Sequence, residues 1–155
     1  MSKVRIFVTF DLEHDGDLYD RLVAQSATRS GSGFEVSGRS EPLTMEDPWR
    51  EAMRGRISGV DQLIVICGEH TDASRGVSAE LRIAQEERTP YFLLWGRRGS
   101  MCTMPAAARP GEGMYSWTPE ILQNQIIVTR RIAREAASAP KGDDAAREAD
   151  VRRTG

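Results

Sequence analysis

The sequence has few of the residues from which metal sites, disulfide frameworks and membrane segments are built. It contains two cysteines and two histidines among 155 residues. Cys67 and Cys102 lack the close spacing of zinc motifs or disulfide-rich domains, and His14 and His70 stand alone, so we expect no metal site. The chain has no charged-then-apolar leader at its start and no apolar run of membrane-spanning length. With a formal net charge of -2, it offers no basic excess for nucleic acid or membrane surfaces. We therefore expect a cytoplasmic protein that binds neither.

Several common site motifs are also missing. There is no GxxxxGK[ST] or GxGxxG phosphate loop and no Gly-x-Ser-x-Gly nucleophile elbow. The acidic residues 11–16 begin like a calcium loop, but the position that must carry an acid is occupied by Leu22. A phospho-receiver domain would need an aspartate after the third strand, where the chain has Gly68, Glu69 and His70. These absences argue against phosphate-loop, flavin-phosphate, calcium, phosphoacceptor and serine-hydrolase functions.

Four segments rich in β-branched and aromatic residues alternate with amphipathic segments. We predict strands over residues 3–10, 34–37, 62–67 and 91–95. We predict helices over residues 17–28, 48–59 and 74–87 and a last helix from Thr118 and Pro119. Asp47 is the expected N-cap of the second helix, with Pro48 at its first position, and residues 96–115 are expected to form a loop. This alternation predicts an α/β protein with a parallel sheet flanked by helices.

The composition divides the chain into two parts. Residues 1–135 carry the predicted strands and helices, and their number fits a single domain. Residues 136–155 consist mainly of Ala, Gly, Asp, Glu and Arg, with almost no large apolar side chain. Such a segment buries too little apolar surface to fold by itself. We therefore predict a disordered or frayed tail over residues 136–155.

Glu80 is the carboxylate whose position first suggests a site. It follows the most apolar segment, residues 62–67, in a chain order that brings it near the sheet edge where open parallel sheets bind ligands. On a helical wheel, Val77, Leu81 and Ala84 share one face and Glu80 lies at the edge of that face. Spacing alone favours a boundary residue that makes an i,i+4 or helix-start contact over a catalytic one.

Longer segments around Glu80 resemble a known family. Residues 65–71 (VICGEHT), 76–81 (GVSAEL), 84–87 (AQEE) and 90–94 (PYFLL) resemble the TIR-like domains of bacterial antiphage systems of the Thoeris type. The first predicted strand with its acidic loop, and residues 114–117, are also similar. The resemblance extends over about residues 3–135. The sequence departs from eukaryotic TIR domains at Gly76 and Val77, where those usually have Trp-Cys.

The resemblance implies a fold, an activity and partners. The implied fold is flavodoxin-like, with three layers and a parallel sheet of about four to five strands. The implied catalytic residue is Glu80, and NAD is implied as a substrate cleaved at the nicotinamide–ribose bond, with no resident cofactor. A cyclic ADP-ribose-type product would activate a separate effector protein in antiphage defence. Self-association and a phage-derived activator are further implied partners.

The chemistry is compatible with a single carboxylate at position 80. Nicotinamide in NAD is a cationic leaving group, so it departs without a general acid. The transition state resembles an oxocarbenium ion, as in glycoside hydrolysis, and one ionised carboxylate can stabilise that charge or hold the ribose hydroxyls. The helix start is expected to keep Glu80 ionised.

Seven further residues are candidates for binding NAD, and each has a structural alternative. They are Phe10, Asp11, Trp49, Glu69, His70, Ser74 and Ser78. The alternative is a core aromatic for Phe10, a loop or cap role for Asp11 and helix packing for Trp49. Ser74 and Ser78 would otherwise cap the helix, and Glu69 and His70 would be ordinary loop residues. Trp49 also follows the connection that corresponds to the loop mediating TIR self-association.

Two other functions fit the same fold. A non-enzymatic TIR-type interaction module would keep the fold but not depend on Glu80. A flavodoxin-like regulator would bind a nucleotide without turning it over. The sequence leaves open the product, which is a cyclic isomer, linear ADP-ribose or a conjugate, and also the trigger and the oligomeric state.

Overall fold

Five strands and four α-helices alternate along the residues that the computed structural model describes, which are 3–28, 33–44 and 46–138. The strands are β1 Val4–Thr9, β2 Phe34–Arg39, β3 Gln62–Cys67, β4 Tyr91–Trp95 and β5 Met114–Ser116. The helices are α1 Gly16–Ser26, α2 Asp47–Ser58, α3 Arg75–Glu86 and α4 Pro119–Ser138, with a short 3-10 turn at Thr71–Ala73. The predicted α/β alternation is confirmed.

The strands form one parallel sheet in the order β2-β1-β3-β4-β5. This is the flavodoxin-like order, in which strands are added on one side of β1 and then, from β3 on, on its other side, which leaves a crevice at the carboxyl ends of β1 and β3. All six residues of β3 are buried, as predicted for a strand that helices cover on both faces. The predicted fold class is therefore confirmed, and the crevice beyond β1 and β3 is the expected ligand position.

The two faces of the sheet carry separate apolar cores. Side chains alternate along β3, so Ile64 and Ile66 face one core while Leu63, Val65 and Cys67 face the other. The first core is completed by α1 and α4 through Leu18, Leu22, Leu122 and Ile126. The second is completed by α2 and α3 through Met53, Ile57, Val77 and Leu81. The face covered by α2 and α3 is the one that carries Glu80.

The start of α2 differs by one residue from the prediction. Asp47 is the first helical residue, and the N-cap is Glu46, whose backbone is extended and whose side chain makes no capping hydrogen bond. The predicted Asp47 cap is therefore wrong, because Pro48 tolerates either of the first two positions, where a helix leaves its amides unpaired. Ser74 is the N-cap of α3 and accepts a hydrogen bond from the Val77 amide at 3.3 Å.

Two strands extend beyond the predicted ones. β2 continues to Arg39 because Gly38, which resembles a strand breaker in the sequence, permits close approach to Phe7. A Cβ at Gly38 would lie 2.7 Å from Cδ2 of Phe7. β5 begins inside the predicted loop over residues 96–115, ends one residue beyond it and pairs with β4. Its three residues are at least partly exposed, so no apolar run marked it.

The last helix begins at Pro119, after Thr118, as predicted. It continues to Ser138 and so includes the first three residues of the predicted tail, while residues 139–155 of that tail lie outside the described residues. Within the described part of the chain, no helix combines the length and apolar character needed to cross a membrane.

Candidate active site

Glu80 is completely buried at the point where β1, β2 and α3 meet. It is the sixth residue of α3. The hydroxyl of Thr9, the last residue of β1, donates to its Oε1 at 2.5 Å, and the hydroxyl of Ser40, just after β2, donates to the same oxygen at 2.5 Å. Two neighbouring strand ends are thus joined to one carboxylate side chain.

The surroundings of Glu80 favour its neutral form. Burial raises the pKa of Glu80 to about 7, although hydrogen bonds from Ser40 and Thr9 and the nearby backbone of Glu41 lower it in part. No ion pair to Glu80 is found among the described residues. The raised pKa therefore opposes the expectation that the helix start keeps Glu80 ionised. The sixth helical residue lies beyond the first turn, where the helix dipole acts most strongly, and the effect of burial is larger.

Two buried polar atoms near this point have no hydrogen-bond partner within the described residues. They are Oε2 of Glu80 and Nε1 of Trp49. Nearly all buried polar groups in folded proteins are hydrogen-bonded, so an unsatisfied one calls for an explanation. Since Oε1 of Glu80 already accepts two hydroxyl hydrogen bonds, Oε2 is the oxygen left for a ligand.

A cleft of about 280 Å³ lies between the start of α3, the start of α2 and the connection after β2. Trp49, Ser74 and Ser78, three of the predicted binding residues, line it. Ser78 and Ala79 form part of its wall directly before Glu80 in the chain. Leu43 of the connection lies against the first turn of α3, since a Cβ at Gly76 would be 3.9 Å from the Leu43 Cβ.

The two cleft serines already make structural contacts. Ser74 caps α3, and the buried hydroxyl of Ser78 accepts a hydrogen bond from the Ala107 amide at 3.2 Å. Each hydroxyl accepts in these contacts and keeps its own proton for another acceptor. The cap role weighed for both serines is present only for Ser74, whereas Ser78 lies inside α3 and binds the loop at Ala107. These contacts leave both hydroxyls able to donate to a ligand.

Phe10 lies beside the Glu80 site with its ring in the other core. Its amide donates to the Ser40 hydroxyl at 3.0 Å, which connects its backbone to the Glu80 hydrogen bonds. Its ring is 2% exposed and stacks on Tyr19, with centroids 4.9 Å apart. The guanidinium of Arg39 lies 5.3 Å from the Phe10 ring centroid. The ring is thus packed as a core aromatic in this structure.

The remaining predicted residues form a second group at the ends of β1 and β3. Oδ2 of Asp11 lies 2.7 Å from Nδ1 of His14 and raises the pKa of that imidazole. The rings of His14 and His70 are 4.1 Å apart, and Glu69 is exposed beside them. Ligand atoms of Asp11, Glu13 and His14 lie within 4.8 Å of one another, but only Asp11 is buried. No hydrogen bond among the described residues joins this group to Glu80.

Little in the sequence points to the residues that contact Glu80. Thr9 is a polar residue at the end of an apolar strand, which is a weak signal for an inward-facing hydroxyl. Ser40 lies in a polar connection with nothing in its neighbours to distinguish it. The three cleft arginines, Arg50, Arg75 and Arg82, were equally inconspicuous in an arginine-rich chain.

A comparison of the sequence with protein families identifies the family of this chain. The family model described as "Thoeris protein ThsB, TIR-like domain" matches residues 7–96, more than half of the chain. The chain belongs to this family. The matched region contains Thr9, Ser40, Glu80 and every cleft residue except Ala106, and it confirms the resemblance seen in the sequence. A Thoeris TIR-like domain is a module of antiphage defence, and the system implies a separate effector partner.

Solved structures show broader similarity. A prokaryotic SEFIR domain matches the ThsB-type domain with 19% sequence identity and a TM-score of 0.45, covering 84% of this chain and 92% of that one. The glutaminase domain of Trypanosoma brucei CTPS with bound acivicin matches with 21% identity and a TM-score of 0.40. That match covers 59% of this chain and 36% of the other. No curated protein matches the chain. These similarities are too low to transfer a site.

Proposed function

We propose that this Thoeris TIR-like domain cleaves NAD at the nicotinamide–ribose bond, with Glu80 as the catalytic carboxylate. The observation that carries the proposal is a completely buried glutamate with no ion pair among the described residues and one oxygen, Oε2, without a partner. A group with a perturbed pKa beside a cleft is a candidate for catalysis. NAD acts here as a substrate, and no resident cofactor is required.

The proposed reaction uses the cationic character of the substrate. The bond between the nicotinamide nitrogen and ribose C1′ breaks, its electron pair stays on nicotinamide, and a ribosyl cation remains. The Glu80 carboxylate stabilises this cation in a site from which water is largely excluded, where electrostatic stabilisation is strongest. Binding of the cationic nicotinamide ring also favours the ionised form of Glu80, because a nearby positive charge lowers a carboxyl pKa.

The capture of the ribosyl cation sets the product. Attack by water gives ADP-ribose, and attack by an adenine nitrogen of the same molecule gives a cyclic isomer. A buried carboxylate in a narrow cleft favours the intramolecular attack, since water is scarce there. We therefore propose a cyclic ADP-ribose-type signal that activates the separate effector protein.

Access to Glu80 requires movement of the connection after β2. The Ser40 hydroxyl and the Glu41 backbone cover the carboxylate, and Leu43 lies against α3. NAD reaches Oε2 only when this connection is displaced. We propose that self-association, promoted by a phage-derived activator, stabilises the open arrangement. We therefore expect the domain to be inactive until it self-associates.

Nicotinamide release tests the proposal. Full-length protein is incubated with NAD, alone, with phage lysate and under forced oligomerisation, and nicotinamide is quantified by chromatography. We expect release by wild type in an activated state and a loss of about 100-fold or more in Glu80→Gln, the scale on which removal of one electrostatic stabiliser acts.

The matched control is Glu51→Gln, which makes the same change at an exposed position on α2 and should leave release unchanged. Absence of release by wild type under every activation refutes the enzyme function. Equal release by wild type and Glu80→Gln refutes the role of Glu80 alone. Binding of NAD without turnover would instead favour a nucleotide-binding regulator.

A further inference from the structure

Three arginine residues line the cleft whose wall includes Ser78 and Ala79, the two residues before Glu80. Arg50 lies on α2, and Arg75 and Arg82 lie on α3. None of the three makes a hydrogen bond or ion pair with its side chain within the described residues, whereas Arg54 and Arg97 each bind two carboxylates. Unpaired guanidinium groups that share one cleft form a ready site for an anion.

The spacing on α3 explains how its arginines share one wall. Arg75, Ser78, Ala79 and Arg82 follow one another at intervals of three, one and three residues, which puts them on one face of the helix. Arg75 and Arg82 are about two turns apart, or about 10 Å along the axis. Glu80 lies within the same stretch but on another face of α3, about 140° around the helix from Arg75, and it does not line the cleft.

The opposite wall supplies an aromatic surface. Trp49 lines the cleft from α2, and its buried Nε1 has no partner within the described residues. An indole of this kind offers both a flat face for a base and an N–H donor for an acceptor. Two carboxylates, Glu46 and Asp72, also line the cleft. Asp72 is engaged, since the Thr103 hydroxyl donates to its Oδ1 at 3.0 Å.

We propose that Arg50, Arg75 and Arg82 bind the diphosphate of a dinucleotide, with Trp49 against one of its bases. The inference rests on the proposed NAD-cleaving function and assigns the part of the substrate that the cleft holds. Guanidinium groups match phosphate geometry through paired N–H donors. A cleft of about 280 Å³ is near the lower end for ligand pockets and fits half of a dinucleotide. The reacting half reaches Glu80 only when the connection after β2 is displaced.

Calorimetric binding of ADP-ribose and adenosine to the full-length protein tests the diphosphate site. ADP-ribose carries the diphosphate and adenosine lacks it, and neither contains a nicotinamide bond to cleave. We expect wild type to bind ADP-ribose at least about tenfold more tightly than adenosine, with an affinity that falls as salt rises. Arg75→Gln and Arg82→Gln should each weaken ADP-ribose binding by about tenfold and leave adenosine binding unchanged.

The matched control is Arg131→Gln, which removes one positive charge from an exposed position of α4 outside the cleft and should not change either affinity. Three results overturn the diphosphate site. They are equal affinities of wild type for the two ligands, unchanged ADP-ribose binding by both cleft variants, and no binding of ADP-ribose at millimolar concentration.

Turnover separates this inference from the proposed function. If activated wild type releases nicotinamide but the Arg75→Gln, Arg82→Gln double variant has a normal KM for NAD, the diphosphate site is refuted and the enzyme function stands. If ADP-ribose binds in an arginine-dependent way but no condition gives nicotinamide, the enzyme function fails and the diphosphate site stands. We expect a raised KM with little change in kcat, as for binding shared by ground and transition states.

Discussion

At the scale of residues, the state of Glu80 follows from contacts that are remote in sequence. A helical wheel puts Glu80 at the edge of an apolar face, but the structure buries it completely. The hydroxyls that contact it come from residues 71 and 40 positions away in the chain. The spacing of apolar residues within one helix carries no information about contacts with residues so distant in the chain. The sequence therefore indicates Glu80 as a candidate site residue, whereas its burial, its hydrogen-bond partners and its raised pKa could not be predicted.

The raised pKa of Glu80 predicts how stability depends on pH. The folded state, with a pKa of about 7, holds the Glu80 proton more tightly than the unfolded state, with a pKa near 4.5. Stability from this group is therefore full below about pH 4.5 and is lost as pH rises through about 7. Glu80→Gln is neutral throughout, so its stability relative to wild type should increase by roughly 3 kcal/mol between pH 5 and pH 8.

Urea unfolding of both proteins at the two pH values measures this difference. Glu51→Gln provides the exposed control, for which the difference from wild type should change little with pH. A Glu80→Gln difference that is the same at pH 5 and pH 8 would show that Glu80 has an ordinary pKa. The explanation based on burial would then be incorrect.

The hydroxyls of Thr9 and Ser40 should keep the Glu80 pKa lower than burial alone would make it. Both donate to the carboxylate and lower its pKa, so Thr9→Val and Ser40→Ala should each raise it further. The measurement is an NMR titration of the Glu80 side-chain carboxyl carbon, which needs no activity. Thr89→Val is the matched control, because it removes a buried hydroxyl that donates to the Ile57 carbonyl instead. A pKa that stays the same in both site variants contradicts this assignment.

At the scale of elements, the two edge strands of the sheet, β2 and β5, were the hardest to predict. β3 and β4 are apolar runs and were placed correctly. The sequence predicts β2 only as far as Ser37 and a loop in place of most of β5, because backbone pairing with a neighbouring strand stabilises both without an apolar run. The end of β2 matters for the candidate site, because Ser40, which contacts Glu80, follows it directly.

The close approach of Gly38 to Phe7 gives an element-scale prediction. Gly38→Ala places a Cβ 2.7 Å from the Phe7 ring, which must shift in a packed core, so we expect a loss of roughly 1–3 kcal/mol in unfolding free energy. Gly55→Ala, at an open helical position with nothing within 4 Å, should be neutral or stabilising by up to about 1 kcal/mol. Thermal or urea unfolding checks both. Equal effects of the two substitutions would contradict the importance of this contact.

At the scale of the whole molecule, the sheet order explains why the site residues meet. Reversal of the strand order between β1 and β3 opens the crevice at their carboxyl ends. Thr9 ends β1, Ser40 follows β2, and Glu80 belongs to the helix that follows β3. The alternation of strands and helices predicts a parallel sheet, and the family resemblance implies its flavodoxin-like arrangement. The division of the predicted residues into a Glu80 cleft and an Asp11–His14–His70 group required the structure.

The central claim is that Glu80 of this TIR-like domain cleaves the nicotinamide–ribose bond of NAD. The most direct measurement is nicotinamide release by activated wild type and Glu80→Gln, with both proteins first shown to be folded by thermal unfolding. Release by wild type and a loss of about 100-fold or more in the variant is the predicted result. Release at the same rate by the folded variant, or none by wild type under any activation, would contradict the claim.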